Sequence, residues 1–178
     1  MPKICIMASG AGSNAKQIIE NLKKTNIEVS LFITDRTCDA QKIATLNQIT
    51  LITSKDWNFI SNTLDLIKPD LIVLAGFLRQ IPKKICQDYK IINIHPSLLP
   101  KFGGFGMWGD NVHKNVLQSK EKQSGITIHY VTEEYDKGEV IEQHKVLIES
   151  DETIESLKMK IHSLEWTHYS DCIKRLLD

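Results

Sequence analysis

The chain has no surplus of charge of either sign: 22 Lys and Arg stand against 22 Asp and Glu, for a net charge of zero. A protein that grips nucleic acid through its phosphates carries a basic excess, so no nucleic-acid partner is expected. Glycine and proline are few, 9 and 5, which excludes a collagen-like or disordered composition. No apolar run approaches the roughly 18 residues of a membrane span, so no membrane partner is expected. The opening MPKICIMASG holds too short an apolar stretch for a secretory signal. Cys5, Cys38, Cys86 and Cys172 are scattered without a C-x-x-C pair and read as reduced thiols, in keeping with a cytoplasmic protein. No H-E-x-x-H, H-x-H or Cys/His cluster has metal-ligand spacing, and no G-x-S-x-G elbow supports a serine hydrolase. What is present is 178 residues, 42% of them hydrophobic, enough for one compact domain spanning residues 1–178.

The first half of the chain alternates short apolar runs with helical patterns. Strands are predicted at 3–7, 27–34, 49–52, 71–74 and 91–94, and helices at 14–24, 38–46, 56–67 and 81–89. Ser54 or Asp56 is a candidate cap for the third helix. LIVLAG from Leu71 is continuously apolar, as expected of a strand covered on both faces. After an irregular Gly-rich stretch, KFGGFGMWGD, a helix is expected at 111–119 with Asp110 as its cap. Alternating strands at 125–131 and 140–148 and a helix from about 153 to 176 complete the chain. The fold class is therefore α/β: a Rossmann-like, mostly parallel sheet with helices on both faces and an antiparallel addition in the C-terminal half.

In such sheets ligands bind beyond the carboxyl ends of the strands. Three segments leave those ends: SGAGSN, AGFLRQ and NIHPSLLP. The first feeds a helix N-terminus, where exposed N–H groups favour a phosphate, although it is neither G-x-G-x-x-G nor a P-loop. In the third, Asn93 and His95 are two residues apart on a strand and point the same way, and Pro96 keeps His95 extended. A carboxamide beside an imidazole suits an oxyanion forming on a carbonyl. Asp136, in EEYDKGE, gains meaning only if its loop folds over His95. There an ionised carboxylate would favour imidazolium and raise the histidine pKa toward operating pH. His129 reads equally well as a neighbour of that site or as a packed strand histidine, and His113 begins a helix. His144 and His168 read as surface or packing positions.

MASGAGSN, LAGFLRQI, NIHPSLLP and SGITIHYVTEEYDKGEVI, in this order along nearly the whole chain, resemble the phosphoribosylglycinamide formyltransferase family of purine biosynthesis. The resemblance implies the formyltransferase fold. It also implies transfer of a formyl group from the co-substrate 10-formyltetrahydrofolate to the amine of glycinamide ribonucleotide, without a metal. It assigns Asn93, His95 and Asp136 to catalysis. It puts the ribonucleotide and its phosphate at Gly12, Ser13, Asn14, His162 and Glu165. The folate is implied at Leu78, Arg79, Gln80 and Ile81, with Val131 and Tyr135 in the segment closing over the pterin and Lys55 near its carboxylates. The stretch from Pro100 to His113 departs from the shorter form of many relatives and reads as a mobile substrate-side loop.

Two other functions compete. One is formylation of another amine: a tRNA acceptor would call for a further C-terminal domain and a basic surface, and an amino sugar nucleotide is disfavoured only by the SGAGSN loop. The hydrolytic variant of that enzyme reading, with water in place of the amine, would call for an N-terminal regulatory domain before the first strand. The other is a catalytically silent nucleotide-binding module. The expected assembly is a monomer or homodimer.

Overall fold

The computed structural model describes residues 1–178. Seven strands form one sheet in the order β3-β2-β1-β4-β5-β6-β7. The first five, β1 (Lys3–Ala8), β2 (Glu28–Thr34), β3 (Leu51–Thr53), β4 (Leu71–Leu74) and β5 (Ile91–His95), are parallel; β6 (Gln123–Tyr130) and β7 (Val140–Leu147) run antiparallel beyond them. The helices are α1 (Ser13–Leu22), α2 (Ala40–Leu46), α3 (Trp57–Ile67), α4 (Lys83–Asp88), α5 (Asp110–Gln118) and α6 (Ile154–Leu177). The order expected from hydrophobic periodicity is thus the order observed, with ends displaced by one or two residues.

Strand alternation sorts the core into two layers. Ile4, Ile6, Leu71, Val73, Ile92, Ile94, Ile126 and Ile128 face a cluster filled by α1, α2, α5 and α6. Cys5, Met7, Ile72, Leu74 and Ile91 face the other way, against Ile60 and Leu64 of α3 and Ile85 of α4. β1 and β4 are buried on both faces, which explains their unbroken apolar runs. Tyr169 fastens α6 to the sheet: its buried hydroxyl lies 2.9 Å from the Leu74 carbonyl and 3.2 Å from that of Ile92, sharing one proton between them.

Asp56, not Ser54, caps α3, its carboxylate accepting from the Asn58 N–H at 2.9 Å. Thr153 caps α6 in a reciprocal arrangement with Ser156. Asp110 does not cap α5. Gly109 occupies that position and Asp110 is the first helical residue, because Gly109 supplies a positive φ of 58° at the turn. No side chain caps α1 either; its cap position is Gly12, at φ 78°. A Cβ there would come within 2.8 Å of the Ala40 Cβ, so α2 and the left-handed backbone both require glycine.

Candidate active site

The residues left on the α3/α4 face of β5 and β6 are polar. Asn93 pairs with His129 and His95 with Thr127 across the antiparallel seam. Since neighbouring Ile92, Ile94, Ile126 and Ile128 point into the other layer, these four share one face. α3 and α4 do not reach this patch. Loops cover it instead: the β6–β7 connection doubles back across it, and the segment after Pro96 crosses it, with the Leu99 N–H on the Thr127 hydroxyl at 3.0 Å.

That return brings Asp136 to the histidines. Its Oδ2 lies 3.5 Å from His95 Nδ1 and its Oδ1 lies 3.6 Å from His129 Nε2. Asn93 Nδ2 is 3.2 Å from the same His129 Nε2. His129 Nδ1 faces the Tyr130 carbonyl at 2.8 Å, and a carbonyl only accepts, so that nitrogen carries the proton. Asn93 Nδ2 can spend at most one of its two hydrogens on this contact, leaving another for a ligand. His129 therefore belongs to the site. The signal for it is the Asn93–His129 register, which spacing within one strand does not contain.

Two backbone groups of the Gly-rich loop complete the arrangement. The Phe102 carbonyl sits 2.8 Å from His95 Nε2, and the Gly104 N–H donates to Asp136 Oδ2 at 2.8 Å. Burial works against the charge of Asp136, yet the neighbouring His129 and His95 rings and the Gly104 N–H hold its carboxyl below the ordinary range. For His95 the balance falls the other way. Burial is the largest influence and pushes its pKa below the ordinary histidine value, against the opposing pull of Asp136 and the Phe102 carbonyl. The expected rise is thus corrected: Asp136 pulls in the foreseen direction, but the dry surroundings of a residue only 3% exposed outweigh it.

A cavity of about 270 Å³ opens over this cluster at the carboxyl edge of the sheet. Gly12, Ser13, Asn14, Leu78, Arg79, Gln80, Ile81, Asn93, His95, Val131, Tyr135, Asp136, His162 and Glu165 all line it. Lys55 does not. It meets the region only through its carbonyl, which accepts from Arg79 Nη2 at 3.0 Å, while its ammonium stays in solvent. Arg79 also lies 4.7 Å over the Trp57 ring. The Tyr135 hydroxyl donates to the Leu78 carbonyl at 3.2 Å and Gln80 donates to the Glu133 carbonyl, tying the two loops on this side into one wall.

On the opposite side Asn14 donates to Glu165 Oε2 at 3.1 Å. Burial raises the Glu165 carboxyl to about 7, with the Asn14 bond pulling down. His113, set aside on sequence grounds, lines the cavity, and burial lowers its imidazole to about 4. Asn14 Oδ1, Arg79 Nη1 and His113 Nδ1 are buried without partners. Buried polar atoms are rarely left so, and three of them around one cavity mark a place built for polar ligands.

A family model described as formyl transferase matches residues 2–173. The chain belongs to this family. Within the formyl transferases, the Bacillus subtilis phosphoribosylglycinamide formyltransferase is 35% identical over 193 residues, covering 99% of this chain and 95% of that protein. The chloroplastic enzyme of the same name from Arabidopsis thaliana is 34% identical, and this chain spans 64% of its length; the Vigna unguiculata counterpart is spanned to 61%. Among solved formyl transferases, phosphoribosylglycinamide formyltransferase from Bacillus halodurans superposes with a TM-score of 0.89 at 32% identity, over 99% of this chain and 95% of that one. Glycinamide ribonucleotide transformylase 1 from Geobacillus kaustophilus gives 0.90 at 30% identity over the whole of both chains. The seven-stranded α/β sheet is thus the formyltransferase fold.

Proposed function

We propose that the protein transfers the formyl group of 10-formyltetrahydrofolate to the amine of glycinamide ribonucleotide, a step of de novo purine biosynthesis. The observation that carries this reading is the meeting of Asn93, His95 and Asp136 over one cavity, although Asp136 lies more than 40 residues further along the chain. The ribonucleotide takes the α1/α6 side, with its phosphate at Gly12, Ser13 and Asn14 beside His162 and Glu165. The folate takes the β4 side, between Leu78–Ile81 and Val131–Tyr135. The two substrates then meet beyond the end of β5.

The chemistry follows from the donors available. The ribonucleotide amine attacks the formyl carbon, and charge develops on the carbonyl oxygen. The free amide hydrogen of Asn93 donates to that oxygen and the positive charge of a protonated His95 stabilises it, in a water-poor site where such interactions count most. His95 Nε2 faces an acceptor-only carbonyl and Nδ1 faces an ionised carboxylate, so both contacts favour imidazolium while burial opposes it. A histidine held near this balance is a stronger acid than a free one and suits proton delivery to the departing folate nitrogen. Asp136 sustains the charge on His95 and takes up the proton of the attacking amine through water.

Residues 1–178 act in this reading as a single formyltransferase domain, supported by two apolar layers on one shared sheet. No helix is long and apolar enough to cross a membrane, and all four thiols are free, which suits a reducing compartment such as the cytoplasm. The test is an absorbance assay of tetrahydrofolate formation with glycinamide ribonucleotide, an amino sugar nucleotide or water as acceptor. Turnover with the ribonucleotide alone is expected; turnover with the sugar nucleotide alone, or with no acceptor, overturns the assignment.

A further inference from the structure

Lys158, His162 and Glu165 lie four and three residues apart and so share one face of α6, and all three line the cavity. At one end of this stripe Glu165 meets Asn14 of the α1 terminus. At the other, about 10 Å along the helix, Lys158 Nζ rests on Asp110 Oδ1 at 2.7 Å. The cavity wall holds three carboxylates, Glu134, Asp136 and Glu165, but only two fixed cations, Arg79 and Lys158. Arg79 is engaged on the folate side with Trp57 and the Lys55 carbonyl. A phosphate entering beside α1 and α6 therefore has one lysine to meet, while burial and the Lys158 charge both lower the pKa of His162 between them.

We propose that Lys158 is an anchor for the substrate's phosphate, exchanging Asp110 for that phosphate when the ribonucleotide binds. This rests on the ribonucleotide reading above. The exchange is favourable in direction. The existing pair is half-exposed on both sides, a setting in which ion pairs contribute little, whereas an ammonium on a doubly charged phosphate makes a short, charge-assisted bond. The Asp110 carboxylate is not stranded by the loss, because it occupies the first position of α5, where the helix dipole favours an anion. Asp110 also ends the Gly-rich segment whose Phe102 and Gly104 backbone groups hold His95 and Asp136. Phosphate arrival at Lys158 would then release that segment at its far end, on the side where the acceptor enters.

Lys158→Met and Asp110→Asn separate an anchor from a structural tie. With Lys158→Met, KM for glycinamide ribonucleotide should rise about tenfold or more, with kcat within about twofold. Its kcat/KM for the dephosphorylated ribonucleoside should match that of the parent. Asp110→Asn should leave KM unchanged or lower it, because it removes the competitor. Titration of parent and Lys158→Met with inorganic phosphate, followed by calorimetry, should show weaker binding to the variant by a similar factor. Equal phosphate affinity, or an Asp110→Asn variant that reproduces Lys158→Met, overturns the proposal. If the parent itself fails to turn over the ribonucleotide, the assigned reaction falls while the phosphate titration still decides the role of Lys158.

Discussion

One face of the sheet is divided into two regions built on the same strand alternation. Under α3 and α4 it presents Cys5, Met7, Ile72, Leu74 and Ile91, sealed by helices. One strand further on it presents Asn93, His95, Thr127 and His129, sealed only by returning loops. The first region exchanges water for apolar contact and contributes stability. The second removes polar groups from water and gives each a specific partner, which costs stability unless every partner is in place. The shift from helix cover to loop cover at β5 is what turns a core face into a reactive one.

The comparison breaks most visibly by exchanging losses. Asn93→Ala should lower kcat on the order of 10²–10³-fold with little change in thermal midpoint, as expected for loss of one oxyanion donor. Leu64→Ala, in the sealed half, should cost about 2–5 kcal/mol in denaturant unfolding while the folded fraction keeps its kcat. Comparable stability losses in both variants would mean that the polar patch is structural.

A smaller effect comes from Asp136→Asn. Removing this charge lets burial lower the His95 pKa further, so the limb of the pH–rate profile assigned to His95 should move to lower pH, with a rate loss of roughly tenfold or more near neutrality. The Asp136 carboxyl is held below its ordinary 3.8 in the fold, so its stability contribution is present above that value and lost as pH falls through the lowered pKa. The Asn variant should show a flatter decline of stability below pH 4. An unmoved profile would detach Asp136 from His95.

The smallest effect concerns the buried carboxyl on α6. Burial raises Glu165 from 4.5 to about 7, so its folded form holds a proton more tightly than the unfolded chain. That contribution is complete below about pH 4.5 and is lost as pH rises through 7. Glu165→Gln should therefore gain roughly 1–3 kcal/mol over the parent between pH 5 and pH 8, measured by urea midpoint. It should also raise KM for the ribonucleotide. Equal pH dependence in both proteins would show that Glu165 is ionised in the fold throughout.

The sheet was legible because its strands are sealed by helices: apolar runs and helical spacing record burial directly, and all seven strands and six helices follow that record. Asn93 and His95 were legible because alternation within one strand orients both. Asp136 was not, since nothing local in EEYDKGE records a loop that doubles back over β5; only resemblance to a family pointed to it. His129 depends on cross-strand register, His113 on packing, and Lys158 on three elements meeting, none of which leaves a periodic trace. The misjudged pKa of His95 has the same origin, because a charged neighbour can be inferred from residue types while the dryness around it belongs to the assembled fold. Lys55 lies outside the cavity lining, its backbone carbonyl meeting Arg79 and its side chain exposed, a placement that residue type and spacing do not record.

The groups that the Gly-rich loop gives to His95 and Asp136 are a peptide carbonyl and a peptide N–H. Every residue but proline brings both groups, so the loop's other side chains can drift in size and polarity without disturbing the proton inventory beneath them, provided Gly104 keeps its left-handed backbone and Gly103, where a Cβ would stand 3.3 Å from the Asp136 Cβ, stays glycine. In the proposed reaction, accommodation of the incoming amine and the handling of its proton then belong to separable parts of one segment, and mutation can retune the former while leaving the latter intact.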